Sequence, residues 1–213
     1  MFTGIVRALG SVKSLRNNGG GCVLEVDLGA LDAGSVHPGD SIAVNGACLT
    51  VGELRGGAAG AACAVFEVSP ETLARCLIGQ WAPGEPLNLE PALTLQTPLG
   101  GHLVCGHIDG AGTLLERRPA AHCTHMRFAA PRALGRLIAA KGSIAVDGVS
   151  LTSNQVSDHP GETRFEVMLV PHTLAATTLG GLQPGARVHL EADPLARYAQ
   201  RLMERGGDQA VGG

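Results

Sequence analysis

The chain repeats itself at a fixed offset. Ser41–Thr50 (Ser-Ile-Ala-Val-Asn-Gly-Ala-Cys-Leu-Thr) returns as Ser143–Thr152 (Ser-Ile-Ala-Val-Asp-Gly-Val-Ser-Leu-Thr), 102 positions on, and Gly4 and Val6 match Gly106 and Ile108 at the same offset. Further along the offset is 101: Pro70–Leu73 matches Pro171–Leu174, and Leu87-Asn88-Leu89-Glu90 matches Val188-His189-Leu190-Glu191. A phase held this long means two copies of one whole domain, because solenoid units run only about 20–50 residues. The expected division is residues 1–99, residues 100–193, and a C-terminal helix and tail over 194–213. Differences between the copies, Cys48 against Ser150 and Ile5 against His107, then become clues to function.

A domain of this length can bury its own core. With 45% hydrophobic but only 3% aromatic residues, that core has to be built from Val, Leu, Ile and Ala. The net charge is −3 and the 16 basic residues form no run, which excludes a nucleic-acid footprint of clustered Lys and Arg. Met1–Val6 shows no basic and apolar signal pattern, and the longest uncharged stretch, Pro91–Ile108, is broken by Pro98, the adjacent Gly100 and Gly101, Gln96 and two histidines. Neither a secretory signal nor a membrane span is expected. The six cysteines form no C-x-x-C and read as free thiols, so a cytoplasmic location is the expectation.

Turn signals recur at Asn45-Gly46, Gly56-Gly57, Pro83-Gly84, Asp147-Gly148, Pro160-Gly161 and Pro184-Gly185, with short strand-like runs between them such as 22–28, 64–68, 164–170 and 187–191. This spacing predicts an all-β barrel or sandwich in each copy. Short helices are expected over 30–33, 132–140, 70–77 and 171–179, the last two opening on a proline and stopping at Gly79 and Gly180. Asp193-Pro194 is a cap and first-turn pair, and Leu195, Tyr198, Leu202 and Met203 share one face of the helix that follows. Gly206-Gly207 is expected to end that helix, with a disordered tail beyond. An apolar stripe on such a helix either packs on its own barrel or pairs with other subunits; because the first copy closes without a helix, oligomerisation is the expectation.

Asn-Gly and Asp-Gly between alternating strands predict two-residue type I′ hairpins. With Asn45-Gly46 as the turn, one face carries Ile42, Val44, Ala47, Leu49 and Val51, and the other Ser41, Ala43, Cys48 and Thr50. The second copy presents Ser143, Ala145, Ser150 and Thr152 on the polar face. These faces fit either plain solvent-facing strands or a shallow site for a planar polar ligand. They lack the Lys, Glu, Arg and Gln of ordinary exposed strands. His102 and His107 differ by an odd number and cannot converge on a metal along a straight strand, so no metal is expected. No dinucleotide fingerprint, P-loop or nucleophile elbow is present.

Together these motifs resemble the riboflavin synthase family. They are Met1–Val6, the Ser41–Val51 hairpin, Gly100-Gly101-His102, Gly106-His107-Ile108-Asp109, Lys141-Gly142, Asp147–Thr152, Pro171–Leu174, Thr177–Gly180 and Asp193-Pro194. Their order and spacing carry the resemblance, which runs from residue 1 to about 205. Arg75-Cys76-Leu77-Ile78 and Pro91 depart from the family pattern.

The resemblance implies two tandem six-stranded antiparallel Greek-key barrels, a C-terminal α-helix and a homotrimer. The implied reaction needs no cofactor. Two molecules of 6,7-dimethyl-8-ribityllumazine dismutate by transfer of a four-carbon unit, giving riboflavin and 5-amino-6-ribitylamino-pyrimidinedione. It implies catalytic roles for Cys48, Ser150, His107 and Asp193. Substrate contacts are implied for Ser41, Cys48, Thr50 and Thr72 in the first barrel, and for Ser150, Thr152, Pro171, Thr173 and Lys141 in the second. Phe2, Thr3, Gly4, Val6, His102, Gly106 and Ile108 complete the implied contacts, with Phe2 and Thr3 closing the interface. The alternatives are a non-catalytic lumazine- or flavin-binding antenna protein of the same fold, and a flavin-binding reductase barrel, which would require an α/β nicotinamide domain.

Overall fold

Both copies fold into the same ring of strands. The structure is a computed structural model and describes residues 1–56 and 62–208. In the first copy β1 (Ala8–Asn18), β2 (Gly21–Asp27), β3 (Ser41–Val44), β4 (Ala47–Gly56), β5 (Ala62–Val68) and β6 (Pro86–Pro91) close an antiparallel barrel in the order β1-β2-β5-β4-β3-β6. The β3–β4 hairpin is thus inserted between β5 and β6, a Greek-key connection. A short helix α1 (Pro70–Arg75) links β5 to β6.

The second copy has β7 (Gly110–Ala120), β8 (Cys123–Pro131), α2 (Arg132–Gly135), β9 (Ser143–Val146), β10 (Val149–Thr152), β11 (Val156–His159), β12 (Glu162–Leu169), α3 (Pro171–Ala176) and β13 (Arg187–Ala192). Its seven strands run β10-β9-β13-β7-β8-β12-β11. The two edges, β10 and β11, are consecutive in the chain and correspond to β4 broken in two. Where β4 has a register shift between Val51 and Glu53, the second copy has Ser153–Gln155, and the backbone pairs Asn154 N–H to Glu166 O (2.7 Å) and Glu166 N–H to Gln155 O (2.9 Å) carry the sheet across the break. The ring order is otherwise the same.

Alternation fills each barrel from inside. In β2, Cys22, Leu24 and Val26 are buried while the residues between them are half-buried. The cores hold Leu24, Phe66, Leu87 and Leu89 in one barrel and Leu114, Phe128, Phe165 and Leu190 in the other. All four phenylalanines of the chain are fully buried, and Phe128 stacks on Phe165 at 5.4 Å. Each such side chain contributes roughly 2–3 kcal/mol by leaving water.

The two barrels meet through repeat-related residues. The hairpin turns have the expected type I′ backbone, with φ of 43° and 83° at Asn45 and Gly46, and 46° and 76° at Asp147 and Gly148. The two glycines touch; a Cβ on either would lie 2.7 Å from the other's backbone nitrogen. Asn45 Oδ1 accepts from Asn88 N–H, and Asp147 Oδ1 from His189 N–H, both at 2.7 Å. Asn88 and His189, equivalent in the repeat, then reach across. Asn88 Nδ2 donates to Asp147 O, and its Oδ1 accepts from Thr178 N–H. His189 Nδ1 bonds Asn45 O, and its Nε2 accepts from Leu77 N–H at 2.7 Å. An accepting Nε2 makes the ring neutral with its proton on Nδ1.

These crossings explain where the helices stop. Instead of reaching Leu77 and Leu179, α1 and α3 give way to extended residues at Cys76 and Thr177. Tight 3₁₀ turns over 78–80 and 178–181 follow and contain Gly79 and Gly180, because Leu77 and Thr178 spend their N–H groups on the other copy. The helix expected over 132–140 is a single turn, and that over 30–33 is a 3₁₀ turn at Ala33–Ser35. The last helix, α4 (Pro194–Asp208), starts at the expected cap, where Asp193 Oδ1 accepts from Leu195 N–H. It continues through Gly206-Gly207 rather than ending there. The rest of the tail expected to be disordered, 209–213, and Gly57 of the expected Gly56-Gly57 turn lie outside the described residues.

Candidate active site

The β3–β4 and β9–β10 hairpins pair in the expected register, with Ala43 opposite Cys48, Ser41 opposite Thr50, Ala145 opposite Ser150 and Ser143 opposite Thr152. Ile42, Val44, Ala47, Leu49 and Val51 are buried, while Cys48 and Ser150 are half-buried and Thr50 and Thr152 exposed.

What lies over each hairpin comes from the other copy. Phe2 pairs with Val104 across the two copies. Beyond that pair, Gly4 O accepts from Ser150 N–H (2.8 Å) and Gly106 O from Cys48 N–H (2.9 Å). Val6 packs on the second core and Ile108 on the first. Glycine is required at both crossings. Its φ is +73° at Gly4 and +80° at Gly106, and a Cβ would lie 2.6 Å from that of Ser150 and 2.4 Å from that of Cys48.

Buried carboxylates hold these segments in place. Glu90 accepts from Thr3 N–H and Oγ1 (both 2.7 Å) and from Gly4 N–H (3.0 Å); Glu191 does the same for Cys105 N–H (2.7 Å) and Gly106 N–H (2.9 Å). Burial pushes both carboxyls up, Glu191 to about 7, against the opposing pull of those N–H groups. Sequence reasoning missed both residues as functional. The signal was available: polar Asn88 and Glu90 alternate with Leu87 and Leu89 on β6, and polar residues recur at 189 and 191.

The two sites differ. At the first barrel a cavity of about 500 Å3 is lined by Cys48, Thr72, Gly106, His107 and Ile108 together with charged Glu71, Arg75, Asp109 and Arg197. The charges are paired, Arg75 with Glu71 at 3.0 Å and Arg197 with Asp109 at 2.6 Å, the second pair tying α4 to the start of the second copy. Cys76 also lines the cavity, its thiol pushed up to about 11 by burial. Ser41, expected here, instead lines a separate cavity of about 270 Å3 with Pro91 and Leu93, and Thr50 does not line the Cys48 cavity.

At the second barrel the linker crosses the hairpin. A Cβ on Gly101 would lie 2.7 Å from Ser150 Oγ, and His102 Nδ1 sits 2.7 Å from that oxygen. The His102 ring is buried and its Nε2 has no hydrogen-bond partner among the described residues. Desolvation lowers its basicity, and the Asp193 carboxylate pulls the other way. Thr173 is half-buried on α3, behind Pro171 at its first position. Lys141 is exposed, adopts φ +65° where the first copy has Gly39, and bonds Asn154 Oδ1 at 3.3 Å. Phe2 and Thr3 lie at the seam between the two barrels of the chain, and both are fully buried. Among the described residues no cluster of His, Cys, Asp and Glu is placed to hold a metal ion.

Comparison with known proteins fits this doubled architecture. The lumazine binding domain model matches twice, over residues 3–92 and 105–193. Riboflavin synthase of Mycobacterium bovis is 42% identical over 97% of this chain and the whole of that protein. The chain belongs to the riboflavin synthase family. Members from Photobacterium phosphoreum and Bacillus subtilis are 37% and 31% identical, each over at least 95% of this chain and about nine-tenths of their own length. Among solved structures, LumP complexed with riboflavin superposes with a TM-score of 0.80 at 23% identity, covering 90% of this chain and 99% of that one, which speaks to the shared fold. The two matched spans correspond to the two barrels, each carrying one of the hairpins.

Proposed function

We propose that the chain is a riboflavin synthase that dismutates two molecules of 6,7-dimethyl-8-ribityllumazine into riboflavin and 5-amino-6-ribitylamino-pyrimidinedione without a cofactor. The observation that carries this is the exchange of start segments: one chain builds two repeat-related sites, each a hairpin walled by the other copy, which suits two copies of one substrate. Held against each other, the two rings react as one molecule, and such placement can supply about 7–11 kcal/mol of the barrier.

The roles follow from the surroundings. Cys48 or Ser150 assists addition at C7 of one of the two rings, while the other ring loses a proton from its 7-methyl group. His102, at 2.7 Å from Ser150 Oγ, positions that oxygen. His107, exposed on the first cavity, carries the proton, and Asp193, half-buried beside His102, holds a hydroxyl or water. The reaction centre forms where the first barrel of one subunit meets the second barrel of a neighbour in a homotrimer. Supporting the trimer, Leu195, Tyr198, Leu202 and Met203 on α4 are each at least 69% exposed, a stripe a lone chain would leave in water. A cytoplasmic location is part of the proposal, supported by six free cysteines.

Steady-state kinetics of Ser150→Ala and Asp193→Ala test the roles. Each is expected to lower kcat by about 100-fold with KM nearly unchanged. An unchanged kcat in both removes them from the chemistry.

A further inference from the structure

Away from the two hairpin sites, buried polar groups concentrate where the barrels' turns meet. A cavity of about 250 Å3 lies there, lined by repeat-related pairs: Asn45 with Asp147, Leu77 with Thr178, and Trp81 with Leu182. Asn45 and Asp147 are 7% and 6% exposed. Each spends Oδ1 on a strand N–H, while Asn45 Nδ2 and Asp147 Oδ2 have no side-chain hydrogen-bond partner among the described residues. Once Asp147 is ionised, above about pH 7, the pair therefore offers one donor and one acceptor from adjacent turns whose glycines touch. Had both copies kept Asn, the site would offer donors alone. Trp81, 7% exposed, stands tilted 5.8 Å from the His189 ring and supplies an aromatic face.

We propose that this cavity binds a single planar ring with a lactam edge, of the pyrimidinedione type. Asn45 Nδ2 donates to the ring carbonyl, Asp147 Oδ2 accepts from the neighbouring ring N–H, and Trp81 covers a ring face. The volume lies just under the roughly 300–1,000 Å3 of drug-sized sites, which limits the occupant to one ring, and a cleft between domains is a usual place for such a site. The burial that pushes the Asp147 carboxyl up to about 7 is the cost that a ligand N–H offsets. The inference stands apart from the proposed activity, since it uses neither hairpin face.

Trp81 is the only tryptophan, so its emission reports on the cavity directly. At about pH 8, where Asp147 is ionised, the full chain is titrated with uracil and with 1,3-dimethyluracil, reading Trp81 emission and, in parallel, retention in equilibrium dialysis. Uracil is expected to bind saturably. Dimethyluracil, which has no N–H, should bind at least about tenfold more weakly, the value of one lost hydrogen bond. Asp147→Asn keeps an Asn-Gly turn, as in the first copy, but replaces the acceptor with a donor, and should weaken uracil equally. Cys48→Ser should bind uracil like the unaltered chain. No saturable binding, or equal binding of the two compounds, overturns the proposal. So does a response kept in Asp147→Asn and lost in Cys48→Ser, which would place uracil in the first barrel's hairpin site.

Discussion

Asp147→Asn is expected to stabilise the chain by up to about 4 kcal/mol near pH 8 and by almost nothing near pH 3. Asp147 is buried between the barrels, and its carboxyl is pushed from 3.8 up to about 7, burial outweighing the His189 N–H that it accepts. An unfolded chain releases this proton as pH passes 3.8; the folded chain keeps it until about 7. Between those values the unfolded state binds fewer protons, so stability falls as pH rises, and the cost is complete above about 7. Asparagine supplies the same Oδ1, as Asn45 does for Asn88, with no charge to desolvate. Glu191 acts in the same sense. His189 acts in the opposite sense: burial lowers it from 6.5 to about 4, so stability drops as pH falls through that range. Urea unfolding of both chains across the pH range checks this. A gain that does not grow between about pH 4 and 7 would show that the buried carboxyl costs nothing.

Gly106→Ala is expected to destabilise by about 3 kcal/mol or more, against about 1 kcal/mol for Gly84→Ala. Both glycines have positive φ, +80° and +86°. At Gly84 a Cβ meets nothing within 4 Å, so the variant measures backbone strain alone. At Gly106 it would lie 2.4 Å from Cys48 Cβ and 2.9 Å from both Cys48 N and Phe2 Cε2, atoms fixed by the hairpin and by the seam between the copies. Relief requires the 104–108 segment to lift off the first hairpin, which also opens the Cys48 cavity. Thermal unfolding checks the difference, with lumazine binding measured on the same samples. Equal costs for the two variants would mean that the seam yields freely.

The hairpins were legible because Asn-Gly and Asp-Gly fix both turn and register within ten residues, and period two then sorts Cys48 and Ser150 from the core. The exchange of start segments was not. Pairings such as Phe2 with Val104 and Gly4 with Ser150 join residues about a hundred or more apart and leave no local periodicity. That is why Phe2 read as a substrate contact, although it is sealed between Ala43, Val104 and Ala145. Ser41 shares a strand face with the positions around Cys48, yet that face runs past the end of the cavity. The glycine pair in α4 read as a stop, but glycine only weakens a helix, by about 1 kcal/mol each, and does not end one. Asn88, His189, Glu90 and Glu191 were visible as a repeated motif; their function appears only when the partner turn and start segment are placed against them.

The most direct test incubates the purified chain with 6,7-dimethyl-8-ribityllumazine alone and follows the products by chromatography. One riboflavin for every two lumazines consumed, with an equal amount of 5-amino-6-ribitylamino-pyrimidinedione, is the predicted result. Tight lumazine binding with no riboflavin formed would contradict the account and leave a binding protein built on the same two barrels.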